Sequence, residues 1–128
     1  MIWPNYLALV SYVYDTWYHE LNMIAASHPN VYVGFNLLLP WCITAPRRAA
    51  EVIGEAIQFA TADRCIWGTD YCNSESAIKY AVNGWKNFQI PEDMQVGYGF
   101  SPITDEVRRK IFGLNLAKLL GIEPRKRV

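Results

Sequence analysis

The chain has 128 residues, 52% of them apolar, and its 12 basic and 12 acidic side chains cancel to a formal net charge of zero. That length suits a single domain with a core of its own, and the charge balance gives no long-range field for nucleic acid or an anionic membrane surface. No apolar run approaches the ~18 residues of a membrane span, and the first residues show no basic and apolar leader pattern, so a cytoplasmic protein is expected.

The amino-terminal stretch Trp3-Pro4-Asn5 reads as a helix start, with Leu7, Val10, Tyr14, Trp17, Leu21 and Ile24 following at three- and four-residue steps. The predicted helix ends near Ser27, because Pro29 pushes His28 out of the helical region. Val31-Tyr32-Val33-Gly34-Phe35 then has the β-branched and aromatic character of a short buried strand.

A loop is expected through Pro40. From Pro46 a second helix carries Ala49, Val52, Ile53, Ala56, Ile57 and Ala60 on one face. Ala62-Asp63-Arg64 turns the chain into a second strand, Cys65-Ile66-Trp67-Gly68, and Ser74 caps a third helix with Ala77, Ile78, Ala81, Val82 and Trp85 inward.

Punctuation by Pro91, Gly97, Gly99 and Pro102 predicts a long ordered loop from Asn87 to Pro102. Thr104, with Asp105 and Glu106 after it, starts further helix. Gly113 is expected to divide that segment in two, and Gly121 to end it.

Strands alternating with helices imply parallel pairing through crossovers, an α/β arrangement with one sheet. Only two strands are visible, and two parallel strands leave open edges.

The side-chain inventory adds three constraints. Cys42, Cys65 and Cys72 are an odd number with no Cys-x-x-Cys pair, which fits reduced, packed thiols better than a disulfide framework or a zinc knuckle. Five Trp, eight Tyr and five Phe are many large rings for a small interior, so some are expected to face a partner. The tail Arg125-Lys126-Arg127 reads as a solvated terminus.

The segments HPNVYVGF, DRCIWGTDYC and ITDEVRRKIFGLNLAKLLGI, in this order, resemble the last part of the amidohydrolase-related (amidohydrolase 2) family of metal-dependent hydrolases and decarboxylases. The likeness spans nearly the whole chain. It implies a partial TIM (β/α)8 barrel, residues 1–128 forming a single carboxy-terminal segment with the two strands as the seventh and eighth. Cys72 stands where the family usually has proline, and Leu116 where it usually has alanine.

By this resemblance Asp70 matches the aspartate at the end of the final strand, which binds the metal or moves a proton. Barrel active sites lie at the carboxyl ends of the strands, which suits that position. Tyr71 and Asn73 would follow Asp70 into the site mouth with Cys72, and Trp41 with Cys42 would line it from the neighbouring loop, with Trp41, Tyr71 and Asn73 as the substrate contacts. Asn36, after the first strand, could face the same mouth or serve its turn. Read without the resemblance, an acid after Gly68-Thr69 is a loop or capping residue that accepts amide hydrogen bonds.

The resemblance also implies a divalent metal, zinc being the expected ion, held in the intact family by histidines that would precede Met1. His19 and His28 are expected to be exposed or capping residues, and no His-containing dyad makes Cys42 or Cys72 a nucleophile. Two functions follow. One is the carboxy-terminal segment of a hydrolase or decarboxylase acting on a small carboxylate, amide or ester, inactive alone. The other is a non-catalytic module that self-associates or binds a companion chain through bared strand faces. A rearranged, self-contained α/β protein is a third and weaker reading.

Overall fold

In the computed structural model residues 17–36, 38, 40–70 and 74–124 are described, together with the backbone of residues 8–11. Three short strands form a parallel sheet: β1 (Ala8–Ser11), β2 (Val31–Phe35) and β3 (Cys65–Trp67), in that spatial order. Val10 lies opposite Val33, and Val33 opposite Cys65, so the register runs straight across the sheet. Parallel neighbours need crossovers. Helix α1 (Tyr18–Ser27) joins the first pair, and α2 (Trp41–Thr44) with α3 (Pro46–Ala60) joins the second.

The amino terminus corrects the expectation of one continuous helix. Ala8–Ser11 is a strand, and helix begins only at Tyr18. The apolar run Ala8-Leu9-Val10 is too short to separate the two periods, and here pairing with β2 satisfies its backbone in the sheet. The helical part also turns a different face inward. Tyr18, Leu21, Asn22 and Ala25 are buried, whereas Trp17 is 70% and Ile24 50% exposed. The proposed start at Trp3-Pro4-Asn5 lies outside the described residues, as does the basic tail.

The strand from Val31 and the helix from Pro46 form as their sequences suggest. Proline occupies the first turn of α3, where no amide hydrogen is needed, and all six predicted inward residues of this helix are buried. Gly54 belongs to the same face for a different reason. A β-carbon there would come within 2.5–2.9 Å of the Phe100 ring, so the absence of a side chain lets that ring lie on the helix.

Downstream, α4 (Glu75–Asn87) begins where Ser74 Oγ accepts from the Ala77 amide, which answers one of the helix's unpaired donors. Its inward residues include Ala81, Gly84 and Trp85, while Ile78 is at the surface. The expected loop after it is instead interrupted by α5 (Glu92–Tyr98). Pro91 precedes that helix, Glu92 and Asp93 occupy its first turn, and Gly99 closes it at φ 73°. Two of the residues taken as loop punctuation, Pro91 and Gly99, therefore serve as the boundaries of a short helix. Similarly, the predicted loop through Pro40 leads directly into the single turn α2.

The last segment also departs from expectation. Helix α6 (Asp105–Arg109) starts on the Thr104 cap, widens into a π turn over Lys110–Leu114, and continues as α7 (Asn115–Leu120) to Gly121 at φ 64°. Gly113 does not divide it, because the junction residues Lys110, Leu114 and Asn115 all keep right-handed helical angles. The π turn holds Ile111 and Asn115 buried beneath β3.

All strand residues in the main apolar cluster, Val31, Val33, Phe35 and Cys65, with Trp67 packed against them, alternate onto the helix-facing side of the sheet. The opposite side presents Tyr32, Gly34 and Ile66, none of which belongs to that cluster. This second side is not the bare surface expected from the sequence, since Ile66 is 4% exposed and Gly34 is buried.

Candidate functional site

The carboxyl end of the sheet is built from two short exits. Asn36 leaves β2 and Gly68-Thr69-Asp70 leave β3, as neighbours because Phe35 pairs with Trp67. The Asn36 Oδ1 lies so close over the Gly68 Cα that a β-carbon there would collide with it. Glycine is what lets the two exits meet. Asp70 then adopts φ 60°, in the left-handed region that few residues other than glycine enter, and its side chain is exposed. Asp and Asn tolerate this conformation better than most residues, and uncommon backbone conformations concentrate at functional sites.

Behind this exit Trp67 packs against Phe112 with the rings tilted and their centroids 5.0 Å apart, and its buried Nε1 finds no acceptor among the described residues. Trp41, the first residue of α2, packs on the core, with the Arg48 guanidinium 5.0 Å over its ring. Tyr71, Cys72 and Asn73, the other positions suggested for the mouth, lie outside the described residues.

The remaining reactive side chains are occupied elsewhere. Burial pushes the Cys42 thiol up to about 12, so it stays neutral, and does the same to Cys65. His28 stands just before β2, at the end of the sheet opposite Asp70, and its Nδ1 donates to the Ile24 carbonyl at 3.0 Å as a helix-end cap. His19 sits in the first turn of α1 and its Nδ1 donates to Glu55 on α3 at 2.9 Å, a carboxylate that Asn22 also reaches at 3.0 Å. Both histidines are thus exposed or capping, as expected.

Among the described residues no three His, Cys, Asp or Glu side chains converge on one point. They offer a metal at most Asp70 and no imidazole beside it, so by themselves they do not fit a divalent ion.

Two polar anchors went unrecognised in the sequence although both lie in the quoted motifs. Arg64 Nη1 is within reach of three carbonyls, Ala25 at 2.7 Å, His28 at 2.9 Å and Val31 at 3.0 Å. It ties the end of α1 to the start of β2. Asn115, 7% exposed, donates from Nδ2 to the carbonyls of Ala62 at 2.7 Å and Cys65 at 2.8 Å. A buried amide satisfied in this way fixes the closing helix under β3. The only signal for either was position: an arginine just before a strand and an asparagine one helical turn from an apolar residue.

A sequence model of the family described as Amidohydrolase matches residues 9–122. The chain belongs to the amidohydrolase family. Neither a curated protein nor a solved structure matches it. Within this amidohydrolase chain the match runs from β1 to the residue after the Gly121 terminator. Arg64, Asp70 and Asn115 therefore all lie inside it.

A larger cleft of about 460 Å³ opens between α1, α3 and α5, lined by Tyr18, His19, Arg47, Arg48, Glu51, Met94 and Tyr98. Burial, followed by the Glu51 and Glu55 carboxylates, pushes the Tyr18 phenol up to about 12, which keeps it neutral. The cleft mixes both charge signs, and its lining does not include Asp70.

No helix of the described residues is long and apolar enough to cross a membrane.

Proposed function

We propose that these residues form the carboxy-terminal part of a TIM-barrel amidohydrolase, β1 to β3 being three consecutive barrel strands, and that Asp70 is their contribution to the reaction centre. The observation that carries this reading is the position of Asp70. It leaves the carboxyl end of a parallel strand in a left-handed conformation, on a glycine that meets Asn36 from the adjacent strand. In a parallel βα unit this is the end where ligands gather.

A carboxylate there accepts a proton from a nucleophile or returns one to a leaving group, provided substrate comes within hydrogen-bond reach. The substrate class is a small carboxylate, amide or ester, cleaved by hydrolysis or decarboxylation, with Trp41, Tyr71 and Asn73 as contacts around it. Members of the family generally use a divalent metal. Among the described residues Asp70 is the one carboxylate at this end of the sheet and no imidazole stands beside it, so on this reading the imidazole ligands come from further protein, on the same polypeptide or on a companion chain. Apolar side chains on the outer face of α1, Trp17, Met23 and Ile24, are each at least half exposed and favour association of the chain with further protein.

Metal content, mass in solution and turnover, measured on the natural assembly with Asp70 and with Asp70→Asn, test the reading. The substitution is expected to lower turnover by at least about a hundredfold while mass and fold stay the same. Undiminished turnover would refute the role of Asp70. Stoichiometric zinc in a monomer of these 128 residues would refute the need for outside ligands.

A further inference from the structure

A crevice of about 180 Å³ lies between the end of α4 and the α6 helix with its π turn. Five residues line it: Trp85, Lys86, Arg108, Arg109 and Phe112. Its interior is apolar, with the Phe112 ring exposed at its edge and the fully buried Trp85 beneath, yet three of the five residues are cations and none is an acid. In a chain whose charges cancel overall, this is a local excess of one sign.

The three cations differ in what holds them. Arg108 is committed to the fold: it donates to the Trp85 carbonyl and to the Phe88 carbonyl at 2.7 Å, and its guanidinium lies 5.6 Å from the Trp85 ring centroid. Lys86 and Arg109 are exposed, and neither forms a hydrogen bond or an ion pair among the described residues. Lys86 sits in the last turn of α4, where a cation complements the helix dipole, whereas Arg109 lies within the helical segment that continues to Leu120. The dipole accounts for Lys86 alone. It does not account for both converging on the rim of one apolar crevice, with Phe112 42% exposed at its edge.

We propose that this crevice docks an acidic segment of a partner protein, with one large apolar side chain seated against the exposed Phe112 ring and the stems of Lys86 and Arg109, and flanking carboxylates paired with those two cations. The volume suits one such side chain, and the unpaired cations select the sign of its neighbours. A neutral apolar segment would leave both cations beside the buried contact without counter-charges, and a basic one would be repelled. The crevice lies in the helical layer and uses neither Asp70 nor a metal, so the docking and the proposed catalytic role stand or fall separately.

Fluorescence anisotropy with a fluorescein-labelled octapeptide, one central phenylalanine among aspartates and glutamates, tests the proposal on the whole chain. Binding should weaken by at least about tenfold, near 1.4 kcal/mol, when the peptide phenylalanine becomes alanine or when its carboxylates become amides. The double variant Lys86→Glu, Arg109→Glu should weaken it as much, with an unchanged far-ultraviolet circular dichroism spectrum showing that the fold persists. Added salt should also loosen the complex. Equal affinity for the amide peptide, or for the charge-reversed protein, would overturn the proposal. So would binding of decanoate with none of the peptide, which would make the crevice a site for a small amphiphile.

Discussion

The two ends of β3 are held in opposite ways. At its start, Arg64 gathers carbonyls from α1 and β2 while Asn115 pins the carbonyls of Ala62 and Cys65, so backbone acceptors from four segments converge on two side chains. At its finish, Gly68 and Asp70 pass Asn36 and emerge at the surface, with the aspartate in an uncommon backbone conformation. One end is built for rigidity and the other for presentation. This division suits a strand that must deliver a side chain to a fixed point, since an acid can only be positioned as well as the strand beneath it.

Substitutions at the tied end should cost the most. Arg64→Met keeps most of the apolar stem but removes every donor, leaving three carbonyls without this partner, and should lower stability by on the order of 3 kcal/mol. Chemical denaturation followed by tryptophan fluorescence measures it. A midpoint equal to the parent's would mean that the guanidinium is not what ties α1 to the sheet.

At the presenting end the effect should be smaller and of another kind. Gly68→Ala drives a β-carbon into the Asn36 amide, which can swing aside because it is the end of a flexible side chain. A loss of about 1 kcal/mol is expected, together with displacement of Asn36 and of the Asp70 exit. Amide chemical shifts that move around Asn36 and Asp70, but not around Arg64 and Asn115, would support the separation of the two ends. Shifts spread evenly along β3 would count against it.

The smallest effect belongs to a pair remote from β3. Arg47 donates to both carboxylate oxygens of Asp93, at 2.6 and 3.2 Å, linking α3 to α5 on the surface, and holds that carboxyl below its ordinary value. A carboxyl depressed by folding stabilises the protein above its unfolded value of about 3.9 and loses that contribution as pH falls through the lower folded value. The Asp93→Asn chain should therefore differ slightly from the parent at pH 6 and match it in strong acid, with salt narrowing the difference. A difference that persists unchanged into strong acid would show that something other than this carboxylate stabilises the contact.

Much of the fold could be read directly from the residues. The β-branched run at Val31, the proline-led helix with its small apolar face, and the Ser74 and Thr104 caps are local signals, and local physics was enough to place them. The same signals misled at Ala8–Ser11, where three apolar residues in a row satisfy either period, and at Pro91 to Gly99, where boundary residues closely spaced looked like loop. Gly113 failed as a divider because a glycine inside a helix costs only about 1 kcal/mol, which tertiary packing can override.

For the site, the sequence by itself determined the identity of Asp70, its place after a strand and the family pattern around it. Only the tertiary structure decided that Asn36 and Gly68 meet beside it, that Arg64 and Asn115 brace the opposite end, and that Lys86 and Arg109 converge on one crevice. The physical reason is reach. Caps, turns and periodic faces are set within a few residues, whereas these contacts join positions 23 to 53 residues apart and exist only after the helices have packed on the sheet.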